Sequence, residues 1–122
     1  MFRKVAFTMY PVADMARARR FYEETLGLPR GTGSTEHGWV EFDLPGGGCL
    51  AITVHARSEP SAAAGGTIAF EVEDLDALVE DLKAKGVDFL TPDLIHSPVC
   101  RMSMIKDTEG NSILLHQLKP KA

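Results

Sequence analysis

Val12-Ala13-Asp14-Met15 returns at position 72 as Val72-Glu73-Asp74-Leu75, and this internal echo decides how the chain is read. Each copy ends a strand and opens a helix. Asp14 and Asp74 stand where an N-cap carboxylate accepts the free backbone N–H groups of a first helical turn. After the first copy, Met15, Ala18, Phe21, Tyr22 and Leu26 fall on one face at helical spacing; after the second, Leu75, Leu78, Val79 and Leu82 do. Gly27 and Gly86 then stop the two helices in the same way.

Short strands precede the helices, over Val5 to Tyr10 and Thr67 to Val72, and further strand-like runs follow them. In the first half Trp39 to Leu44 and Cys49 to His55 flank the hairpin turn Pro45-Gly46-Gly47-Gly48. In the second, Val87 to Leu90, Val99 to Ile105 and Ser112 to Leu118 are the strands, with Asp107-Thr108-Glu109-Gly110-Asn111 as the last turn. Gly31 to Gly38 reads as turn, and Pro92 to Pro98 as a loop or irregular edge. The pattern predicts an α+β fold of two βαβββ modules, 1–56 and 67–122, joined by a Ser/Ala/Pro/Gly-rich linker at 57–66 within one domain, 1–122. Two copies are too few for a solenoid, so the halves are expected to pair their mixed sheets around a cavity.

The 122 residues are 44% hydrophobic and 25% charged, which suits one compact domain and excludes disordered, collagen-like and membrane classes. A chain of this size buries roughly 65% of its unfolded surface and needs no metal or disulfide staple. Thirteen basic and seventeen acidic residues give a net charge of −4, with the bases scattered apart from Arg17, Arg19 and Arg20, which read as a solvated helix face. Nucleic acid is thus not an expected partner, and the acidity slightly favours cationic ligands. Cys49 and Cys100 match no zinc spacing and are expected to be reduced and buried. The apolar run Val5 to Tyr10 ends at Pro11, too short for a signal-peptide core, and no run approaches a membrane span; a cytoplasmic protein is expected.

Tyr10-Pro11-Val12-Ala13-Asp14-Met15 leading to Arg20-Phe21-Tyr22-Glu23-Glu24-Thr25-Leu26-Gly27-Leu28, together with Asp107-Thr108-Glu109-Gly110-Asn111, resembles the vicinal oxygen chelate superfamily. That superfamily includes glyoxalase I, extradiol dioxygenases, fosfomycin-resistance enzymes and bleomycin-resistance proteins. The likeness spans nearly the whole chain, and it speaks to fold more than to function. In the metal-dependent members, His or Glu ligands project from the first and last strands of each module. The resemblance carries those positions onto Phe7, Thr67, the Ala51 or Thr53 register, and Leu114. None is a carboxylate or imidazole, so a divergent member without the usual metal site is implied, and no cofactor is expected.

Period-two alternation then puts Phe7, Met9, Ala51, Thr53, His55, Thr67, Ala69, Glu71, Leu114 and His116 on the cavity side. One of the alternating sets Trp39, Glu41, Asp43 and Val40, Phe42, Leu44 joins them. The expected ligand-binding residues are Phe7, Met9, Thr53, His55, Thr67, Glu71, Leu114 and His116. Glu71 and His116 are the strongest polar pair, able to move a proton or hold a cation, because the resemblance sets the fifth and last strands side by side. The plain alternative has Glu71 in solvent and His116 on a backbone carbonyl. His37 and His96 lie in loop-like stretches, and the sequence carries no Ser-His-Asp or Cys-His signature of a nucleophile. No catalytic residue is assigned.

The expected function is binding of a small, partly apolar organic molecule without a standard metal site, for sequestration or for metal-independent acid-base chemistry. Two alternatives stay open: a metal-dependent glyoxalase/lyase- or dioxygenase-like enzyme using displaced ligands, and a module presenting its ligand to a partner protein. A homodimer is expected, since small domains of that family usually close an open cavity or extend their sheets through a partner chain, and the resemblance allows either the two modules of one chain or modules of two chains to face each other.

Overall fold

The computed structural model describes all residues except Phe2, Arg57, Ala64, Lys121 and Ala122. Arg57 and Ala64 of the expected linker, and the last two residues of the expected second module, therefore lie outside the described residues. The chain divides into two compact units, Met1–Ser61 and Ala62–Ala122.

The first unit runs β1 (Thr8–Pro11), α1 (Met15–Arg20) continuing into a π-helical turn (Phe21–Thr25), β2 (Thr32–Ser34), β3 (Trp39–Asp43) and β4 (Cys49–Thr53). Its four strands are ordered β1-β4-β3-β2, with β1 parallel to β4 and the other pairs antiparallel. The second unit runs β5 (Ile68–Glu71), α2 (Leu75–Ala84), β6 (Ile95–His96), β7 (Cys100–Lys106) and β8 (Ser112–Leu118), ordered β5-β8-β7-β6, again with the first strand parallel to the last. Each unit is thus βαβββ, as the echo in the sequence requires.

Both caps form: Asp14 Oδ1 accepts the Arg17 N–H at 3.0 Å and Asp74 Oδ1 the Ala77 N–H at 3.1 Å. Behind them the apolar faces meet the sheets. Met15, Ala18, Phe21 and Tyr22 are buried with Tyr10, Val40, Phe42, Leu50 and Ile52, and the Tyr22 ring lies 5.5 Å from that of Phe42. Leu75, Val79 and Leu82 are buried with Phe70, Ile105, Ile113 and Leu115. The start of α2 is tied to its sheet by Gln117, whose Oε1 accepts the Leu75 N–H at 2.8 Å and an Arg101 N–H at 3.1 Å. Among the described residues no helix is long and apolar enough to cross a membrane.

Three local readings change. The first helix does not stay α to its end: Leu26 N–H bonds Phe21 at 2.9 Å, five residues back, in a widened turn. The glycine-rich stretch read as turn contains β2. Gly33 adopts φ +114°, and a Cβ there would lie 2.4 Å from the Trp39 carbonyl oxygen, so only glycine lets this edge strand come so near β3. In the second unit, Val87 to Leu90 makes only the Phe89–Ile105 bridge before Thr91-Pro92, and the strand proper is Ile95–His96. Proline has no N–H for the ladder, so the edge of β7 is shared between two short pieces.

Arg19 also departs from the solvated face expected of its neighbours. Its guanidinium donates to Glu23 Oε2 (3.0 Å), Thr35 Oγ1 (3.1 Å) and the Gly31 carbonyl (2.8 Å), and the same Glu23 oxygen accepts the Gly31 N–H at 2.8 Å. The two side chains are only 18% and 24% exposed. This clamp holds the segment entering β2 against the helix. Burial pushes the Glu23 carboxyl upward, but the Gly31 N–H, the Arg19 bond and charge, and the Arg30 charge outweigh it, leaving a net lowering from 4.5.

A depressed carboxyl stabilises the fold above its unfolded pKa, and that contribution disappears as pH falls through the folded value. Glu23→Gln should therefore cost about 1–3 kcal/mol in denaturant melts at neutral pH. The gap to wild type should shrink below about pH 4. An equal cost at all pH would show that the ionised form is not what matters.

Candidate functional site

Residue parity in the two sheets separates a helix-covered face from an opposite face. In the first unit Thr8, Tyr10, Val40, Phe42, Leu50 and Ile52 lie on the helix side. The other side carries Met9 from β1, Ala51 and Thr53 from β4, and Trp39, Glu41 and Asp43 from β3, by the registers Met9–Ala51, Ala51–Glu41 and Thr53–Trp39. The alternation left open for β3 is thus decided: Val40 and Phe42 are core, and the Trp39 set faces away from the helix.

Phe7 precedes β1 and stacks edge-on against Trp39, ring centroids 5.3 Å apart and planes at 90°. Phe7 is 41% and Met9 45% exposed, so two large apolar side chains stand open on one face. The Trp39 indole N–H donates to Glu41 Oε2 at 2.8 Å, which fixes the ring and leaves its edges and faces as a platform. Cys49 donates its thiol hydrogen to Glu41 Oε1 at 3.6 Å. Sequence reasoning passed over Trp39, Glu41 and Cys49 as site residues, although the alternation Trp-Val-Glu-Phe-Asp was the signal that could have found them.

Other expected residues are engaged within the fold. Thr53 is fully buried and its hydroxyl accepts the His55 N–H at 2.9 Å, while the His55 ring Nε2 is 2.7 Å from the His37 carbonyl. The Thr67 hydroxyl lies 3.0 Å from that of Ser112.

In the second unit the face away from α2 carries Ala69 and Glu71 from β5, Leu114 and His116 from β8, and Met102 and Met104 from β7. Glu71 is directly opposite His116 in the parallel register. Glu71 Oε1 lies 2.5 Å from His116 Nδ1, and its Oε2 accepts the Leu118 N–H at 2.8 Å. The Leu118 N–H and the His116 bond hold the Glu71 carboxyl below its ordinary value, against a small desolvation cost. The sequence pairing of these two residues therefore stands in the structure, with side chains 53% and 26% exposed. On the helix side of the same sheet a separate recess of about 170 Å³ is lined by Val79, Lys83, Phe89, Thr91 and Ser103 among others, away from this pair.

The positions where the metal-dependent proteins of this kind carry ligands do not suit an ion. Phe7, Ala51 and Leu114 have no donor atom, and the Thr53 and Thr67 hydroxyls are bonded as above. Among the described residues no three His, Cys, Asp or Glu side chains gather where they could share one ion. Divalent ions require several converging oxygen or nitrogen donors, and these residues do not fit one.

Comparison with known proteins gives the same frame. The family model described as Glyoxalase/Bleomycin resistance protein/Dioxygenase superfamily matches residues 4–115. Among solved structures, the chain is similar to TnmS3, an antibiotic binding protein from Streptomyces sp. CB03234, at 28% identity and TM-score 0.77, covering 97% of this chain and 98% of that one. A glyoxalase/bleomycin resistance protein from the same organism is 29% identical, with TM-score 0.72 and coverage of 91% and 97%. A superfamily member from Sphaerobacter thermophilus DSM 20745, 21% identical with TM-score 0.72 and coverage of 93% and 98%, shares the fold. No curated protein matches closely enough to count as a relative.

The surroundings of Cys49 fix its chemistry. Desolvation, then the Asp43 and Glu41 carboxylates, push its thiol from 9.0 to about 11. Since the thiolate is the nucleophile, alkylation by iodoacetamide near neutral pH should run roughly a hundred-fold slower than for an unperturbed thiol. Glu41→Gln should speed it several-fold. Mass spectrometry of timed samples, read at the Cys49 peptide, checks this; alkylation at the rate of a free thiol would contradict it.

Proposed function

Because the chain belongs to the glyoxalase/bleomycin resistance protein/dioxygenase superfamily, we propose that it binds and sequesters a small, partly apolar organic molecule of the antibiotic kind, without a metal ion. The observation that carries this is the open aromatic face of the first sheet, where Phe7 and Trp39 meet edge-to-face beside exposed Met9 and the Glu41 carboxylate. Large apolar groups left exposed together cost solvation unless a ligand or partner covers them. A flat aromatic molecule stacks on such rings, and an amine on it gains from the ring faces and from Glu41. The acidic balance of the chain, −4, points the same way.

Two further features support the reading. TnmS3 is itself an antibiotic binding protein, and the chain is similar to it over nearly its whole length. The residues at the family's ligand positions suit contact with an organic molecule better than with an ion. Phe7, Met9, Thr53, His55, Thr67, Glu71, Leu114 and His116 form the proposed ligand-binding set, to which Trp39 and Glu41 are added. In this reading the protein works in the cytoplasm as a homodimer.

Trp39 is the single tryptophan of the chain, so tryptophan emission, excited at the red edge where Tyr10 and Tyr22 do not absorb, reports on this face alone. Titration with a panel of polycyclic aromatic antibiotics, some bearing an amine, should show saturable quenching with at least one member at micromolar Kd or below. Phe7→Ala should weaken that binding about ten-fold or more, as loss of an aromatic anchor does. Glu41→Gln should weaken only the amine-bearing members. Absence of saturable quenching by every compound would refute the proposal.

Light scattering should give the mass of two chains at micromolar concentration, because closed two-fold pairs are the commonest assemblies of small domains. A mass of one chain across that range would remove the dimer from the reading.

A further inference from the structure

We propose that the Glu71–His116 pair is a proton-accepting site, in which His116 Nε2 takes the proton of an acidic hydroxyl, phenolic or enolic, on a molecule bound at the open face of the second sheet. This rests on the binding reading above and names one chemical group of the ligand.

Parallel pairing of β5 with β8 sets Glu71 opposite His116, and the two side chains meet at 2.5 Å. The Glu71 carboxyl is held low by the Leu118 N–H and by His116, so at neutral pH it is ionised and has no hydrogen to give. The proton in the bond must then sit on His116 Nδ1. In the neutral imidazole this leaves Nε2 with its lone pair free, and among the described residues nothing bonds to it. A carboxylate on one imidazole nitrogen that fixes the tautomer, with the other nitrogen presented as a base, is the arrangement that general-base histidines use.

Both Glu71 oxygens are committed, one to the ring and one to the backbone, so the carboxylate is held in place without help from a ligand. Around the pair, β5 contributes Ala69, β8 contributes Leu114 and Leu118, and β7 contributes Met102, opposite His116. Cys100 lies on the same face of β7, opposite Leu118, with its sulfur 3.1 Å from Ser97 Oγ. The other side chains named here carry no charge, and an apolar bound molecule covering them would strengthen the ion pair formed on proton transfer. The step balances without another reactant. The ligand O–H bond breaks with its electron pair left on oxygen, an Nε2–H bond forms, and the resulting imidazolium keeps its Nδ1–H on the Glu71 carboxylate.

The test uses 4-nitrophenol, whose phenolate is coloured, and 4-nitroanisole, which has the same ring and no acidic hydrogen. Long-range ¹H–¹⁵N spectra of the free protein should show His116 as the Nδ1–H tautomer. With 4-nitrophenol at its own midpoint, close to neutral pH where an ordinary imidazole is mostly uncharged, the bound phenolate fraction should rise clearly above one half while the His116 ring becomes doubly protonated. His116→Gln should abolish that rise and weaken 4-nitrophenol at least about five-fold more than 4-nitroanisole, and Glu71→Gln should reduce the rise by about ten-fold through loss of the tautomer. An Nε2–H tautomer in the free protein, or 4-nitrophenol bound neutral beside an unchanged ring, would overturn this proposal while leaving the binding reading intact. Failure of both compounds to bind would remove this site and count against binding at this face, with Trp39 quenching still deciding the first sheet.

Discussion

The first strand of each unit lies parallel to the last, and most of what the molecule presents follows from that pairing. Parallel neighbours cannot be joined by a hairpin; the chain must leave the sheet and return, here through a helix capped by Asp14 or Asp74. The helix covers one face of the sheet and leaves the other open. The same pairing chooses partners across the seam: Met9 with Ala51 in one unit, and Glu71 with His116 in the other. Slipping either strand by one residue would turn every side chain to the opposite face and exchange core for surface.

The two open faces have come to differ although their frames match. The first is aromatic and acidic, with Phe7, Trp39, Glu41 and a thiol held protonated by its neighbours. The second sets a carboxylate and imidazole among Met102, Met104 and Leu114. Methionine side chains are flexible and polarisable, so this surface adapts to shape while the polar pair stays fixed.

How much of this could be read from residues alone depends on the range of the forces concerned. The caps and the helical stripes are local, and Asp14, Asp74 and the spacing of Met15, Ala18, Phe21 and Tyr22 declare them. The Glu71–His116 pairing was also legible, because strand parity and the order of strands together determine it. What escaped depended on contacts between segments distant in sequence. β2 has a Thr-Gly-Ser core with little strand propensity and exists because Gly33 lets it approach Trp39 closely. Arg19 looks like its neighbours Arg17 and Arg20 until Gly31 and Thr35 are placed beside it. The role of Trp39 needed the direction of β3 relative to the helix, which alternation narrows to two choices without choosing.

The seam between first and last strands also sets the tempo at which each unit can form. Glu71 and His116 are 45 positions apart, and bringing the ends of such a loop together costs on the order of 3 kcal/mol of chain entropy before any contact across the seam returns it. The hairpin of β3 with β4 and the capped helices involve near neighbours and can assemble early. The parallel closure waits for them, since the packed helix shortens the loop that must close. Folding should accordingly be slower than for a helical bundle of this size, as for other domains dominated by non-local pairing. During that interval β4 and β8 stand with one edge unpaired, and these apolar strands, Cys49–Thr53 and Ser112–Leu118, are where association between unfinished chains would begin.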